Sequence, residues 1–480
     1  MDSLPLTSLD PDDWAAFRQQ SHRMMDDMLD YIEHIRQRPV WQEIPDETRA
    51  RYAETLPAEP LSLDAAHRRF MEEVLPYSAG NSHPGFMGWV QGGGTPVGMV
   101  ADMLAAGLNA NLGGRNQMPV EVERQIVRWM RELFSFPDTA SGVFVTGTSM
   151  ANLMAVLVAK TTLLGKQVRK DGICHDTVKL VAYTSDEAHG CVAQAMDLSG
   201  FGRNALRRIP TNAQHQMDLD ILQATIAADR QAGLQPFFIA GTAGTVDVGA
   251  VDDLQAIADI AAREKMWFHI DGAFGALGMM SDLVRPKLAG IERADSIAFD
   301  FHKWGQVPYD AGFLLVRDGS LHMDAFAAPV AYLRRETRGI AGGSPWPCDF
   351  GPDLSRGFRA LKTWFTIQVY GTRQLGQIIS QTCQIAQQLE AEVRQHAELE
   401  MLAPVNLNVV CFRYLADNAD EVNQEIVMRL HESGIAAPST TFVRGRLAIR
   451  AAIVNHRTRT EDVLRMIEGV LRFGTEICRQ

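Results

Sequence analysis

The sequence has few cysteines, and none of them lie in the spacing that binds a metal. Six cysteines are spread over 480 residues without a C-x-x-C pair. The sequence therefore gives no sign of a zinc knuckle or a disulfide framework, and we expect free thiols and no metal centre. The six are Cys174, Cys191, Cys348, Cys383, Cys411 and Cys478.

A surplus of basic residues, a signal peptide and a membrane span are also missing. The 46 Lys and Arg against 58 Asp and Glu give a formal charge of −12, which argues against nucleic acid or an anionic membrane as the main partner. The N-terminus, MDSLPLTSLDPDDW, has no apolar core of signal-peptide length, and the run VGMVADMLAAGL is too short to span a bilayer. These absences favour a cytoplasmic protein that acts on a small molecule.

What the chain does have is a regular alternation of β-rich runs and helical patterns between about residues 143 and 316. This alternation predicts a mainly parallel sheet with helices on both faces. The amphipathic helical patterns upstream predict an N-terminal helical arm over residues 1–84. We therefore predict an α/β fold with that arm, a large domain over 85–370 and a small C-terminal α/β domain with an antiparallel sheet over 371–480.

Polar residues follow several of the predicted strands, at the edge of the sheet where α/β proteins bind ligands. In GVFVTGTSMANL, the start of a helix near Thr148 and Ser149 offers N–H groups and hydroxyls to a phosphate, although either residue also fits a simple helix cap. The strand in MWFHIDGAFG leads to Asp271, and the small Ala273 lets a flat ring approach the backbone. His189 follows another strand near the same edge.

Lys303 is a single charge in a stretch, SIAFDFHKWGQVPYDAGFLLV, that otherwise has the pattern of two buried strands and a turn. Its simplest structural role is an ion pair with Asp300. A phosphate cradle, a ring stacker, a carboxylate and a desolvated lysine are together what pyridoxal phosphate (PLP) requires. The lysine forms a Schiff base with the cofactor, and the carboxylate keeps the pyridine nitrogen protonated. We therefore predict PLP as the cofactor, with a purely structural ion pair of Lys303 and Asp271 as the non-enzymatic alternative.

These motifs resemble the group II PLP-dependent amino-acid decarboxylases, the family of the aromatic-L-amino-acid and glutamate decarboxylases. The likeness is carried by FHKW, HIDGAFG, TSDEAHGCV, GVFVTGTSMANL and RALKTWFTIQVYG, and it runs from about Trp14 to Leu471. It implies the PLP-dependent transferase fold of type I and a homodimer, with an arm that wraps the partner and active sites at the subunit interface. The same motifs disfavour a transaminase or a desulfurase.

The resemblance also implies roles for individual residues. Lys303 is expected to be the Schiff-base lysine, Asp271 the partner of the pyridine nitrogen, and His189 the imidazole stacked on the ring. The other implied contacts are to the phosphate (Thr148, Ser149 and His302), to the ring (Ala273 and Thr245) and to the substrate carboxylate (Arg450).

One departure from the family pattern concerns the proton donor. Most decarboxylases of this family place a tyrosine in the loop that corresponds to residues 335–356, and this loop has none. The nearest aromatic residues, Trp346 and Phe350, cannot donate in its place. Relatives with phenylalanine there often consume oxygen and release an aldehyde. An oxygen-consuming PLP-dependent aldehyde synthase therefore stands as the alternative to a decarboxylase that produces an amine and CO2.

A second departure concerns the substrate. In GLNANLGGRNQMPVEVE, the positions of Asn111 and Arg115 carry bulky apolar residues in aromatic-specific relatives. Polar residues there favour a polar substrate side chain, whereas Trp89 can stack on an aromatic ring. The predicted substrate is therefore an aromatic or polar L-amino acid.

Overall fold

A computed structural model describes residues 8–173, 179–327 and 335–479. The first seven residues and Cys174 lie outside these ranges. The strands of the larger sheet are β1 (Ser141–Val145), β2 (Leu180–Ser185), β3 (Leu206–Ile209), β4 (Gln235–Thr242), β5 (Trp267–Asp271), β6 (Ser296–Asp300) and β7 (Gly312–Val316). Those of the smaller sheet are β8 (Leu399–Met401), β9 (Val409–Tyr414), β10 (Ser439–Val443) and β11 (Arg446–Ala452).

The helices begin with those before the first strand, α1 (Trp14–Glu33), α2 (Asp46–Arg51), α3 (Leu63–Arg69), α4 (Pro96–Leu108) and α5 (Met118–Leu133). Those between the strands of the larger sheet are α6 (Thr148–Leu164), α7 (Val168–Asp171), α8 (Gly190–Leu198), α9 (Leu219–Gln231) and α10 (Leu254–Glu264). The helices after it are α11 (Gly319–Phe326), α12 (Arg359–Val393), α13 (Ala419–Glu432) and α14 (Thr460–Cys478). No helix in the described ranges is long and apolar enough to cross a membrane.

The larger sheet is mainly parallel, as the sequence predicts. Its strand order is β1-β7-β6-β5-β4-β2-β3. The pairings from β6 through β5, β4 and β2 to β3 are parallel, whereas β7 runs antiparallel to both β1 and β6. The carboxyl ends of β4, β5 and β6 therefore lie side by side, and the residues that follow them share one edge.

Both faces of this sheet are buried because its strands are apolar at consecutive positions. In β6, Ile297 and Phe299 belong to the core beneath α5, α9, α10 and α12, where the Phe299 ring centroid lies 5.2 Å from that of Phe134. The intervening Ala298 packs with Met154 and the other apolar residues of α6 and α11 on the opposite face. Helices on both faces are what such a buried parallel sheet requires.

The smaller sheet is antiparallel, in the order β10-β11-β9-β8, and packs with α13, α14 and the second half of α12. The three-residue strand β8 is too short to show in the sequence pattern. Helix α12 bends at Gly371, whose φ of 68° lies outside the helical region. The bend coincides with the predicted domain boundary, and the division into three parts remains a prediction.

The N-terminal segment is helical, although its second predicted helix is interrupted. Asp13 caps α1, and α3 gives way at Phe70–Val74 to a wider turn. An ion pair connects the segment to α14, with a guanidinium nitrogen of Arg36 lying 2.6 Å from Oδ1 of Asp462. Trp14 remains 58% exposed on the single chain.

Candidate active site

A cavity of about 330 Å³ opens where the carboxyl ends of β4, β5 and β6 meet. Each of these strands ends in a polar residue of its lining, namely Thr242, Asp271 and Asp300. The beginnings of α6 and α8 close one side, and Arg450 on β11 lies at another. This is the edge at which α/β sheets bind ligands.

Lys303 reaches this cavity from the turn after β6. Its Nζ lies 3.1 Å from Oδ2 of Asp300, and the Lys303 side chain is 22% exposed against 3% for Asp300. The expected ion pair with Asp300 is therefore present, and the amine also faces the cavity. Asp300 uses its other oxygen to accept a hydrogen bond of 2.8 Å from the Thr148 N–H.

The start of α6 carries an unpartnered hydroxyl. Gly147 occupies the capping position and no side chain caps the helix, so the interpretation of Thr148 or Ser149 as a simple helix cap is wrong. Thr148 Oγ1 is buried without a hydrogen-bond partner, and so is Thr242 Oγ1 on the neighbouring wall. Buried hydroxyls without partners are costly, which points to a polar ligand in the cavity that both residues line.

Asp271 is held at the floor of the cavity by neutral donors. Its Oδ1 accepts from the Ala273 N–H at 3.2 Å, and its Oδ2 accepts from Asn152 Nδ2 at 3.0 Å. The Cys191 thiol lies 3.7 Å from the same Oδ2, and burial raises the pKa of this thiol to about 12. No cation contacts Asp271 among these partners, so its remaining lone pairs can accept from a ligand.

Asn152 links Asp271 to a chain of buried hydrogen bonds. Because its amide N–H faces a carboxylate, its Oδ1 accepts from His269 Nε2 at 2.8 Å. The other ring nitrogen of His269 then accepts from Ser296 Oγ at 2.8 Å, and Ser296 accepts from Trp267 Nε1. Burial lowers the pKa of His269 to about 3, so the ring is neutral. Every link points toward Asp271 as the final acceptor.

His189 is exposed at the mouth of the cavity and also caps a helix. Its Nδ1 accepts from the Cys191 N–H at 3.2 Å at the start of α8. This bond fixes the imidazole beside the cavity that Ala273 also lines. The capping role and a role at the site are therefore compatible.

The structure brings nine of the twelve predicted site residues together around this cavity. They are Trp89, Thr148, Ser149, His189, Asp271, Ala273, His302, Lys303 and Arg450. Arg450 is 3% exposed, and its guanidinium donates to the carbonyls of residues 88, 246 and 247 and to a serine hydroxyl.

The other three predicted residues lie elsewhere in the single chain. Thr245 is fully buried outside the lining, and its hydroxyl accepts from the Ala250 N–H at 3.0 Å. Asn111 and Arg115 border a second cavity. Asn111 stabilises its own turn by accepting from the N–H groups of Gly113 and Arg356.

The lining also contains residues that were not predicted as part of the site, among them Thr242, Asp300 and Tyr309. Thr242 and Asp300 are each the last residue of a strand, the same signal that identified Asp271. Tyr309 lies in the loop from β6 to β7, and nothing in the sequence pattern shows that this loop turns back over the lysine.

No group of three or more His, Cys, Asp or Glu side chains in the described ranges could hold a metal ion. A flat anionic organic cofactor fits the residues that are present. The unpartnered hydroxyls suit a phosphate or a ring oxygen, Asp271 suits a protonated ring nitrogen, and Lys303 suits covalent attachment.

Comparison with known proteins identifies the class. Residues 45–415 match the family described as the pyridoxal-dependent decarboxylase conserved domain, and the chain belongs to this family. It is a PLP-dependent amino-acid decarboxylase, a carboxy-lyase, with the α/β architecture of fold type I.

Individual relatives extend along nearly the whole chain. The aromatic-L-amino-acid decarboxylase of Bacillus atrophaeus is 32% identical over 471 residues, which cover 96% of each protein. The TDC of Oryza sativa, solved with PLP and tryptamine, has a TM-score of 0.88 at 26% identity, covering 98% of this chain and 100% of that one. A glutamate decarboxylase domain from Vibrio parahaemolyticus, part of a diaminobutyrate-pyruvate transaminase and L-2,4-diaminobutyrate decarboxylase, has a TM-score of 0.86 at 26% identity and coverages of 98% and 97%.

Proposed function

We propose that the chain converts an aromatic or polar L-amino acid to its amine and CO2. The observation that carries this proposal is the meeting of Lys303, Asp271 and two unpartnered buried hydroxyls around one cavity. When bound there, PLP supplies an aldehyde carbon for covalent attachment and a ring that accepts the electron pair of the broken bond.

The residues of this chain then have separable tasks. Lys303 would offer the amine for attachment, and the Asp271 carboxylate would accept a hydrogen bond from the protonated ring nitrogen and so keep it protonated. The Thr148 and Thr242 hydroxyls, which have no partner in the protein, would donate hydrogen bonds to oxygens of the cofactor. His189 is placed to cover a flat ring at the mouth of the cavity.

An aromatic substrate side chain agrees best with the lining of the single chain. Trp89, Phe274 and Tyr309 all contribute rings to the cavity wall, and such rings pack well against an aromatic substrate. The aromatic-L-amino-acid decarboxylase among the relatives supports the same choice.

A polar substrate would depend on a second copy of the chain. Asn111 and Arg115 border a different cavity in their own chain, so we infer a homodimer in which they complete the site of the partner. Exposed apolar side chains support such an association, since Trp14 on α1 and Leu108 on α4 are 58% and 62% exposed.

The aldehyde synthase remains the second candidate because the loop 335–356 contains no tyrosine. Trp346 is 1% exposed, and its Nε1 donates to the Gly342 carbonyl at 2.8 Å. Phe350 packs on the buried His322 ring, with centroids 5.2 Å apart. Neither residue lines the first cavity, and neither carries a hydroxyl.

A product balance tests the proposal. Purified holoenzyme is supplied with aromatic and polar L-amino acids in turn, and CO2, amine, aldehyde, ammonia and peroxide are measured with and without oxygen. We expect amine and CO2 in equal amounts at a rate independent of oxygen. Oxygen consumption that matches substrate loss, with aldehyde and peroxide as products, would establish the alternative.

A further inference from the structure

Tyr309 is the tyrosine that the described structure places at the cavity. It lies six residues after Lys303 in the loop between β6 and β7, and it lines the same cavity as the lysine. Its ring stacks at a tilt on His302, with centroids 4.2 Å apart and planes at 35°. The residue is 46% exposed in the single chain, so it is not sealed off from a bound ligand.

The backbone of this tyrosine is fixed by the first turns of α12. The Tyr309 carbonyl accepts from Lys362 Nζ at 2.8 Å, and the same amine lies 3.0 Å from Asp102. Asp310, the next residue, accepts from Arg359 Nε at 2.8 Å. A phenol on a loop tied at two consecutive residues is held in place without requiring a second segment to close over the site.

The phenol is protonated in the neutral pH range. Burial and, to a smaller extent, the negative charge of Asp300 raise the pKa of Tyr309 above its usual value. The other described tyrosines lie outside the lining of this cavity. Tyr183, for example, is buried with its hydroxyl donated to Asp229 at 2.8 Å.

We propose that Tyr309 delivers the proton that replaces the departing carboxylate, an inference that rests on the proposed decarboxylation. The bond from the α-carbon to the carboxylate carbon breaks, CO2 leaves, and the electron pair stays with the α-carbon side. The phenol proton then moves to the α-carbon, and the phenolate recovers a proton from water. No oxidant enters this balance, so the product is the amine. The loop after Lys303 would thereby supply the tyrosine that the 335–356 loop lacks.

The test compares three single hydroxyl deletions in the holoenzyme: Tyr309→Phe, Tyr370→Phe and Tyr332→Phe. Tyr370 lies on α12 outside the cavity and serves as the matched control, and Tyr332 is the tyrosine nearest the 335–356 loop in sequence. PLP affinity and absorbance are measured first. Turnover is then followed in D2O with the amino acid that releases CO2 fastest, and the configuration of deuterium at the α-carbon of the amine is read by NMR.

We expect Tyr309→Phe to keep the wild-type PLP affinity and spectrum while amine formation falls by about 10²–10⁴-fold, the usual contribution of a positioned acid. We also expect a single deuterium configuration from the wild type and Tyr370→Phe, and a mixture from Tyr309→Phe. A wild-type rate with a single configuration in Tyr309→Phe would overturn the inference, as would the same losses in Tyr332→Phe alone. A changed PLP affinity would overturn it too, because the hydroxyl would then hold the cofactor. If the wild type releases no CO2 from any amino acid, the proposed function itself fails before any variant is compared.

Discussion

Replacing Asn152 with leucine tests whether the buried hydrogen-bond chain supports Asp271. Leucine has nearly the same shape as asparagine, so the change removes hydrogen bonds with little change in volume. The two stronger bonds that are lost join Nδ2 to Asp271 Oδ2 at 3.0 Å and Oδ1 to His269 Nε2 at 2.8 Å, and a weaker one joins Nδ2 to Cys191 Sγ at 3.1 Å. His269 is fully buried, so water cannot take the place of the lost acceptor.

The expected magnitude is dominated by the bonds to Asp271 and His269. An unsatisfied buried N–H costs about 1–3 kcal/mol, and a hydrogen bond to a charged group contributes about 1.5–3 kcal/mol. Burial of the leucine methyl groups offsets part of this loss, at about 0.8 kcal/mol per carbon. We therefore expect Asn152→Leu to lower the free energy of unfolding by about 2–4 kcal/mol.

Equilibrium unfolding of the cofactor-free protein in urea, followed by circular dichroism, measures this change. The exposed Asn204→Leu is the control and is expected to stay within about 0.5 kcal/mol of the wild type. His269→Phe should cost less in the Asn152→Leu background than alone, with a coupling of about 0.5–3 kcal/mol, because the orphaned N–H is removed. A wild-type stability for Asn152→Leu, or strictly additive changes in the double variant, would refute the chain as described.

Three further predictions concern the anchor lysine, the loop packing and acid stability. Borohydride should fix one PLP per chain in the wild type and none in Lys303→Ala, and labelling of the variant would show that another lysine is the anchor. Gly114→Ala should lower the free energy of unfolding in urea by about 1–3 kcal/mol, because the new Cβ would lie 2.3 Å from the Trp346 ring. The control is Gly107→Ala, whose Cβ would have no atom within 4 Å and which is expected to lose no stability. Burial lowers the pKa of His322 to about 3, against about 6.5 in the unfolded chain. The contribution of the neutral imidazole to the free energy of unfolding is therefore complete above pH 6.5 and is lost as the pH falls toward 3. His322→Phe should therefore lessen the fall in unfolding free energy by about 1.4 kcal/mol per pH unit between pH 6 and 4, and an unchanged slope would contradict a neutral buried imidazole.

The elements of the larger sheet were predictable because each strand carries its own signal. Strands such as β6 and β7 are short apolar runs bounded by polar or small residues. A continuous apolar run is the pattern expected for a strand that is buried on both faces. The position of Asp271 and Lys303 near each other was predictable for the same reason, since parallel strands end at one edge. The short strand β8 and the turn at Phe70–Val74 were missed because neither extends over a full period of a helix or strand pattern.

The order of the strands and the composition of the cavity wall depend on contacts that no local pattern contains. Thr245 was a predicted ring contact, whereas Thr242, three residues earlier, lines the cavity in the structure. The difference is set by where β4 stops and by the bond that Thr245 makes to Ala250.

The same limit applies to the substrate side of the site. The Asn111 side chain accepts a hydrogen bond from the Arg356 N–H. The Tyr309 carbonyl accepts one from Lys362, which is 53 residues away in the chain. Hydrophobic periodicity records whether a residue is buried but not which distant segment buries it. The sequence alone therefore determined the fold class and the cofactor and predicted the anchor lysine, whereas tertiary packing decided which side chains surround them.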